Sequence, residues 1–163
     1  MTSISTPAAL STTTIAVLGL GAMGLPMATC LASRAVVHAY DPTPERAALA
    51  ADVVFLAVRN YAQLDSALFG DGGVSAVLEP GAVILLTSTV GIEPVRQVAA
   101  QLAEVGLHLV DAPVSGGPVR AGSGILLITV GARDEAFGKV APVLEVLAGT
   151  LERMGPGPGM VRP

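Results

Sequence analysis

An aliphatic run, Ile15-Ala16-Val17-Leu18, enters three glycines at G-x-G-x-x-G spacing, Gly19, Gly21 and Gly24, and a helix-compatible segment, Leu25-Pro26-Met27-Ala28, leaves them. Nothing else in the 163 residues restricts the fold so tightly. Each glycine meets a separate need. Gly19 lets the chain turn off a strand, Gly21 removes a Cβ from a surface that a ligand can approach, and Gly24 lets the new helix pack close to the strand. The helix N-terminus then offers unpaired N–H groups and a partial positive charge, which suits a phosphate.

A glycine triplet alone is weak evidence, because glycines punctuate many loops. Its context strengthens it. A second strand-like run, Ala35-Val36-Val37-His38-Ala39-Tyr40, ends in Asp41, 22 residues beyond Gly19. An acidic residue at about that distance accepts hydrogen bonds from the adenosine ribose hydroxyls in dinucleotide-binding folds. The spacing therefore predicts a dinucleotide site.

Composition narrows the setting. Hydrophobic residues make up 52% of the chain, yet no apolar run reaches the ~18–20 residues that span a bilayer. The aliphatic excess fits a parallel sheet buried on both faces. A net charge of −4, only two Tyr and three Phe, and no Trp argue against a nucleic-acid partner. The single Cys30 has no intramolecular disulfide partner and reads as a small buried hydrophobe. Residues 1–13 lack the basic and apolar regions of a secretory signal and read as a disordered, cytoplasmic N-terminus.

Along the chain, helices are predicted over Leu25–Ser33, Tyr61–Phe69, Glu93–Val105 and Asp134–Leu147. The first should turn Leu25, Met27, Ala28 and Leu31 toward the sheet. A very short helix should open at Thr43 and Pro44. Strands are predicted over Ala35–Tyr40, Asp52–Val58, Ala82–Leu86, Leu107–Val110, Gly124–Val130 and Thr150–Met154. This alternation gives parallel βαβ units and an α/β fold. Residues 14–154 read as one domain, and Gly155-Pro156-Gly157-Pro158-Gly159 opens a linker over residues 155–163.

Two stretches, Gly19-Leu20-Gly21-Ala22-Met23-Gly24-Leu25-Pro26-Met27-Ala28 and Asp111-Ala112-Pro113-Val114-Ser115-Gly116-Gly117, resemble the signatures of the β-hydroxyacid dehydrogenases. This family includes 3-hydroxyisobutyrate, tartronate semialdehyde and L-threonate enzymes. The resemblance runs from about Thr14 to the linker, with Cys30 a minor departure. It implies a Rossmann-like, doubly wound, mostly parallel sheet. It also implies roles for matched positions. Gly19, Leu20, Gly21, Ala22, Met23 and Gly24 would line the pyrophosphate, and Asp41 would take the ribose. Val58, Arg59 and Asn60 match the loop over the adenosine, and Thr89 the hydroxyl near the nicotinamide. Ser115, Gly116 and Gly117 match the segment that holds a substrate carboxylate, a task suited to a hydroxyl beside backbone N–H groups. NAD is expected rather than NADP. Pro42 stands where NADP-preferring members tend to carry Arg, and the Asp41 carboxylate would repel a 2′-phosphate.

Two family features are missing. The general acid/base lysine lies in a G-x-x-x-K-x-x-N pattern on the helix that opens an all-α second domain, and that pattern does not occur here. The only lysine is Lys139, in the wrong context. No catalytic residue is therefore assigned. His38 and His108, on predicted strands, read as structural, and no metal-ligand cluster is visible. The connection from the second strand to Val53–Val58 is also shorter than the family pattern by roughly twenty residues, because only 42–51 intervene. A helix of that length, rising ~1.5 Å per residue, barely returns along a five-residue strand. The expected result is loss of an edge strand and a sheet order of 2-1-3-4-5 and onward. The leading expectation is thus the NAD-binding domain of a dehydrogenase for small 3-hydroxy acids, lacking its helical half and prone to self-association through exposed apolar surface. A non-catalytic dinucleotide-binding module and an incomplete gene product are the alternatives.

Overall fold

Strands of almost unbroken aliphatic character form the centre of the sheet. The computed structural model describes residues 10–40 and 51–160. In it β1 (Leu10–Leu18) lies between β2 (Ala35–Tyr40) and β3 (Val53–Leu56), followed by β4 (Val83–Leu86) and β5 (His108–Asp111), all parallel. The order β2-β1-β3-β4-β5 is the one expected from the short connection. That connection, with Asp41 and the short helix expected at Thr43 and Pro44, lies outside the described residues.

The period of two along each strand divides the core. Ile15, Val17, Phe55 and Leu85 face one side, where α1 (Gly24–Ala32) and α5 (Asp134–Leu147) cover them with Met27, Leu31, Val140 and Leu144. Ala16, Leu18, Val54 and Leu86 face the other, under α2 (Tyr61–Phe69) and α3 (Ile92–Glu104), which supply Leu64, Leu68, Val98 and Leu102. Helices on both faces make the sheet doubly wound, and explain why its strands carry no polar alternation.

Three details depart from the sequence reading. Leu25 is 54% exposed. The buried stripe of α1 is Gly24, Met27, Ala28 and Leu31, at helical spacing, and Leu25 falls one step off it. An unforeseen helix, α4 (Gly117–Ser123), packs along α1. It was hidden by Pro118 and by the glycines that bound it. Finally, the sheet is mostly parallel as expected, but the place of its reversal was not foreseen. After β6 (Val114–Ser115), seven-residue α4 is too short to carry the chain back along the sheet, so β7 (Leu126–Gly131) runs antiparallel to β5 and β6. The long α5 does make that return, and β8 (Ala148–Gly155) pairs parallel with β7.

Candidate functional site

The C-terminal ends of β1, β3 and β4 open onto one cavity of about 750 Å³. Its floor is the glycine loop. Gly19 has φ +94°, and a Cβ there would overlap the Ala57 carbonyl, while a Cβ on Gly24 would overlap the Gly19 carbonyl. Both glycines are thus demanded by the fold. Gly21 differs: a Cβ there would meet nothing within 4 Å. The protein has room for a side chain at this position, and that room is the cavity.

The loop runs into α1, whose N-terminus has no side-chain cap and no acidic residue in its first turn. Leu25 and Met27 donate their N–H groups to the Gly21 and Met23 carbonyls at 3.2 Å each. Among the described residues, the N–H groups of Ala22 and Met23 have no protein acceptor. They remain for an anion, which the helix dipole favours at this end. A dinucleotide pyrophosphate fits this donor set and the open position at Gly21.

Of the residues singled out from the sequence, Gly19, Leu20, Gly21, Ala22, Met23, Gly24, Val58, Arg59, Thr89 and Gly117 share this cavity. Asn60 does not line it. Its Oδ1 accepts the Gln63 N–H at 2.9 Å and caps α2. Ser115 lines a second, larger cavity of about 1200 Å³ together with Asp111, Thr129, Arg96 and Gly159. Thr89 and Val114 belong to the walls of both cavities, which are therefore adjacent. Gly116 lines neither and serves as the N-cap of α4.

Sequence reasoning passed over three residues here. Gln63 and Ser88 line the smaller cavity. The Asn-x-x-Gln spacing that makes Gln63 part of a helix cap was the available signal. The third is Asp111, only 5% exposed in the wall of the larger cavity. Its Oδ2 accepts the N–H of Gly159 at 3.1 Å. Burial pushes its carboxyl up to about 6, against a smaller downward pull from that hydrogen bond. The Gly-Pro stretch after β8 thus folds back onto the domain as far as Gly159.

Other titratable groups lie elsewhere. Lys139 donates to the Gly81 carbonyl at 2.9 Å and sits 3.5 Å from Glu135, at the opposite end of β4 from Thr89. His108 is 4.0 Å from the same Glu135, and His38 is exposed on β2. Burial raises the Cys30 thiol, with a smaller lowering from Arg34. Among the described residues no three His, Cys, Asp or Glu side chains converge as metal ligands, and no helix is long and apolar enough to cross a membrane.

Fold and cavity together define a dinucleotide-binding α/β domain. A family model for the NAD binding domain of 6-phosphogluconate dehydrogenase matches residues 38–155. That match begins after the glycine loop, so it and the loop geometry rest on different residues. L-threonate dehydrogenase of Escherichia coli is 39% identical over 109 residues, covering 67% of this chain and 36% of the enzyme. 2-(Hydroxymethyl)glutarate dehydrogenase of Eubacterium barkeri is 35% identical over 159 residues, covering 86% of this chain and 53% of the enzyme. The crystal structure of 3-hydroxyisobutyrate dehydrogenase from Salmonella typhimurium superimposes with a TM-score of 0.84 at 27% identity, over 91% of this chain and 58% of that one. The chain belongs to the β-hydroxyacid dehydrogenase family, as a nicotinamide-dinucleotide-binding domain. It spans about a third to a half of the length of these curated relatives.

Proposed function

We propose that this domain binds NAD in preference to NADP and holds it beside a small 3-hydroxy acid. The observation that carries this reading is the pair of adjoining cavities. The glycine loop floors one, Ser115 lines the other, and Thr89 and Val114 stand between them. The Ser115 hydroxyl and the glycine-flanked backbone after it would hold the acid's carboxylate. When bound, the dinucleotide supplies a hydride acceptor for the carbinol carbon.

Oxidation also requires a group to take the hydroxyl proton. The family's lysine pattern does not occur in the sequence, and Lys139 is occupied at the far end of the sheet. The reading is therefore cofactor binding without turnover by this chain alone, in the cytoplasm. Exposed apolar side chains such as Val119, 83% exposed, and Leu25 support self-association, visible as a scattering mass that rises with concentration.

Titration with NADH and NADPH, followed by assay with 3-hydroxyisobutyrate and L-threonate, tests the proposal. NADH binding tighter than NADPH, with no turnover, is expected. Turnover by this chain would refute the requirement for the missing lysine, and absence of NADH binding would refute the reading as a whole.

A further inference from the structure

The bonds that fix the loop after β3 leave an unused donor in the cavity wall. Val58 donates its N–H to Ser88 Oγ at 2.8 Å, and Arg59 donates its N–H to Gln63 Oε1 at 2.9 Å. The loop is thus tied to β4 on one side and to α2 on the other. A serine hydroxyl that accepts one hydrogen bond still carries its own proton. Among the described residues nothing accepts that proton from Ser88, which is half-buried and lines the smaller cavity. Its neighbour Thr87 behaves differently, donating its hydroxyl to the Leu56 carbonyl at 3.0 Å inside the core.

Position in the sheet says which part of a ligand Ser88 meets. The pyrophosphate belongs at the glycine loop after β1, with β2 on one side and β3 and β4 on the other. With the acidic ribose site expected after β2, the nicotinamide half extends toward β4. Ser88 lies two residues past the β4 end, beside Thr89, where the two cavities adjoin.

We propose that Ser88 is a specificity-determining residue of this site. Its Oγ positions the Val58 loop, and its O–H donates to an acceptor oxygen of the nicotinamide half, either a ribose hydroxyl or the carboxamide oxygen. The proposal rests on the dinucleotide reading above.

The full chain, as wild type, Ser88→Ala and Ser88→Thr, is titrated with NADH by fluorescence and with ADP by calorimetry, and unfolding midpoints are recorded alongside. Ser88→Ala should bind NADH about tenfold more weakly, whereas ADP, which meets the Val58 loop but not the nicotinamide donor, should weaken by no more than about threefold. Ser88→Thr, which keeps the hydroxyl, should restore NADH binding to within about threefold. Should Ser88→Ala fail to fold, Ser88→Cys keeps the volume with only a weak donor and is held to the same outcomes. Undiminished NADH affinity, an equal loss for NADH and ADP, or a loss that threonine does not restore would each overturn the proposal. Wild-type protein that binds ADP but not NADH would overturn it too, whereas binding of neither would refute the cofactor reading on which it rests.

Discussion

Replacing Asp111 by Asn should stabilise the protein at neutral pH, by an amount that depends on pH in a defined direction. The carboxyl is 5% exposed and takes one hydrogen bond, from the Gly159 N–H at 3.1 Å. Its charge has lost most of its water, and one backbone donor does not replace it. The result is a rise from the ordinary 3.8 to about 6. At ~1.4 kcal/mol per tenfold change, ionised Asp111 costs up to about 3 kcal/mol relative to the unfolded chain. The sign follows from proton binding. Between about pH 4 and 6 the folded state holds the proton more tightly than the unfolded state, so stability falls as pH rises through that window. Below about pH 3 both states are neutral and the penalty vanishes. Asparagine keeps an acceptor for Gly159 and never ionises. Urea unfolding of wild type and Asp111→Asn from pH 4 to 8 isolates this group, because the other titrations cancel in the difference. The variant's advantage should be about 0.5 kcal/mol at pH 4 and reach about 2–3 kcal/mol by pH 7.5. A difference that does not change with pH, or a less stable asparagine variant at pH 7.5, would refute the reasoning.

Two further substitutions separate structural from binding roles. Asn60→Ala removes the Oδ1 cap of α2 and should cost about 1 kcal/mol in urea unfolding, while NADH affinity, read by fluorescence, stays within about threefold because the side chain lies outside the cavity. Lys139→Met should lose at most about 1 kcal/mol of stability, given its exposure, and leave NADH affinity unchanged; a large loss of affinity would mean that the lysine acts at the site after all.

The glycine spacing and the aliphatic runs made the Rossmann core readable, because both are local. Gly24 is required by Gly19 within the same turn, Gly19 by its own positive φ of +94°, and Val53–Leu56 and Val83–Leu86 are short aliphatic runs that form buried strands. The reversal at β7 was not readable. It depends on α4, and a seven-residue helix with Pro118 in its first turn leaves no periodic signal. Within the site, Asn60 lies beside two residues that line the cavity, yet it caps a helix, since adjacency in sequence does not fix which way a side chain turns. Ser88 and Asp111 gain their importance from partners 30 and 48 residues away, Val58 and Gly159, so no local pattern could reveal them.

The central claim is that a dinucleotide pyrophosphate occupies the space left open at Gly21, and NADH titration of Gly21→Val tests it most directly. Because a Cβ at this position meets nothing within 4 Å, the variant should fold, whereas Gly24→Val, whose Cβ would overlap the Gly19 carbonyl, should not. The account predicts that folded Gly21→Val binds NADH at least about 100-fold more weakly, the ~2.7 kcal/mol expected when one or two charge-assisted bonds to phosphate are lost. Wild-type affinity in a folded Gly21→Val protein would contradict it.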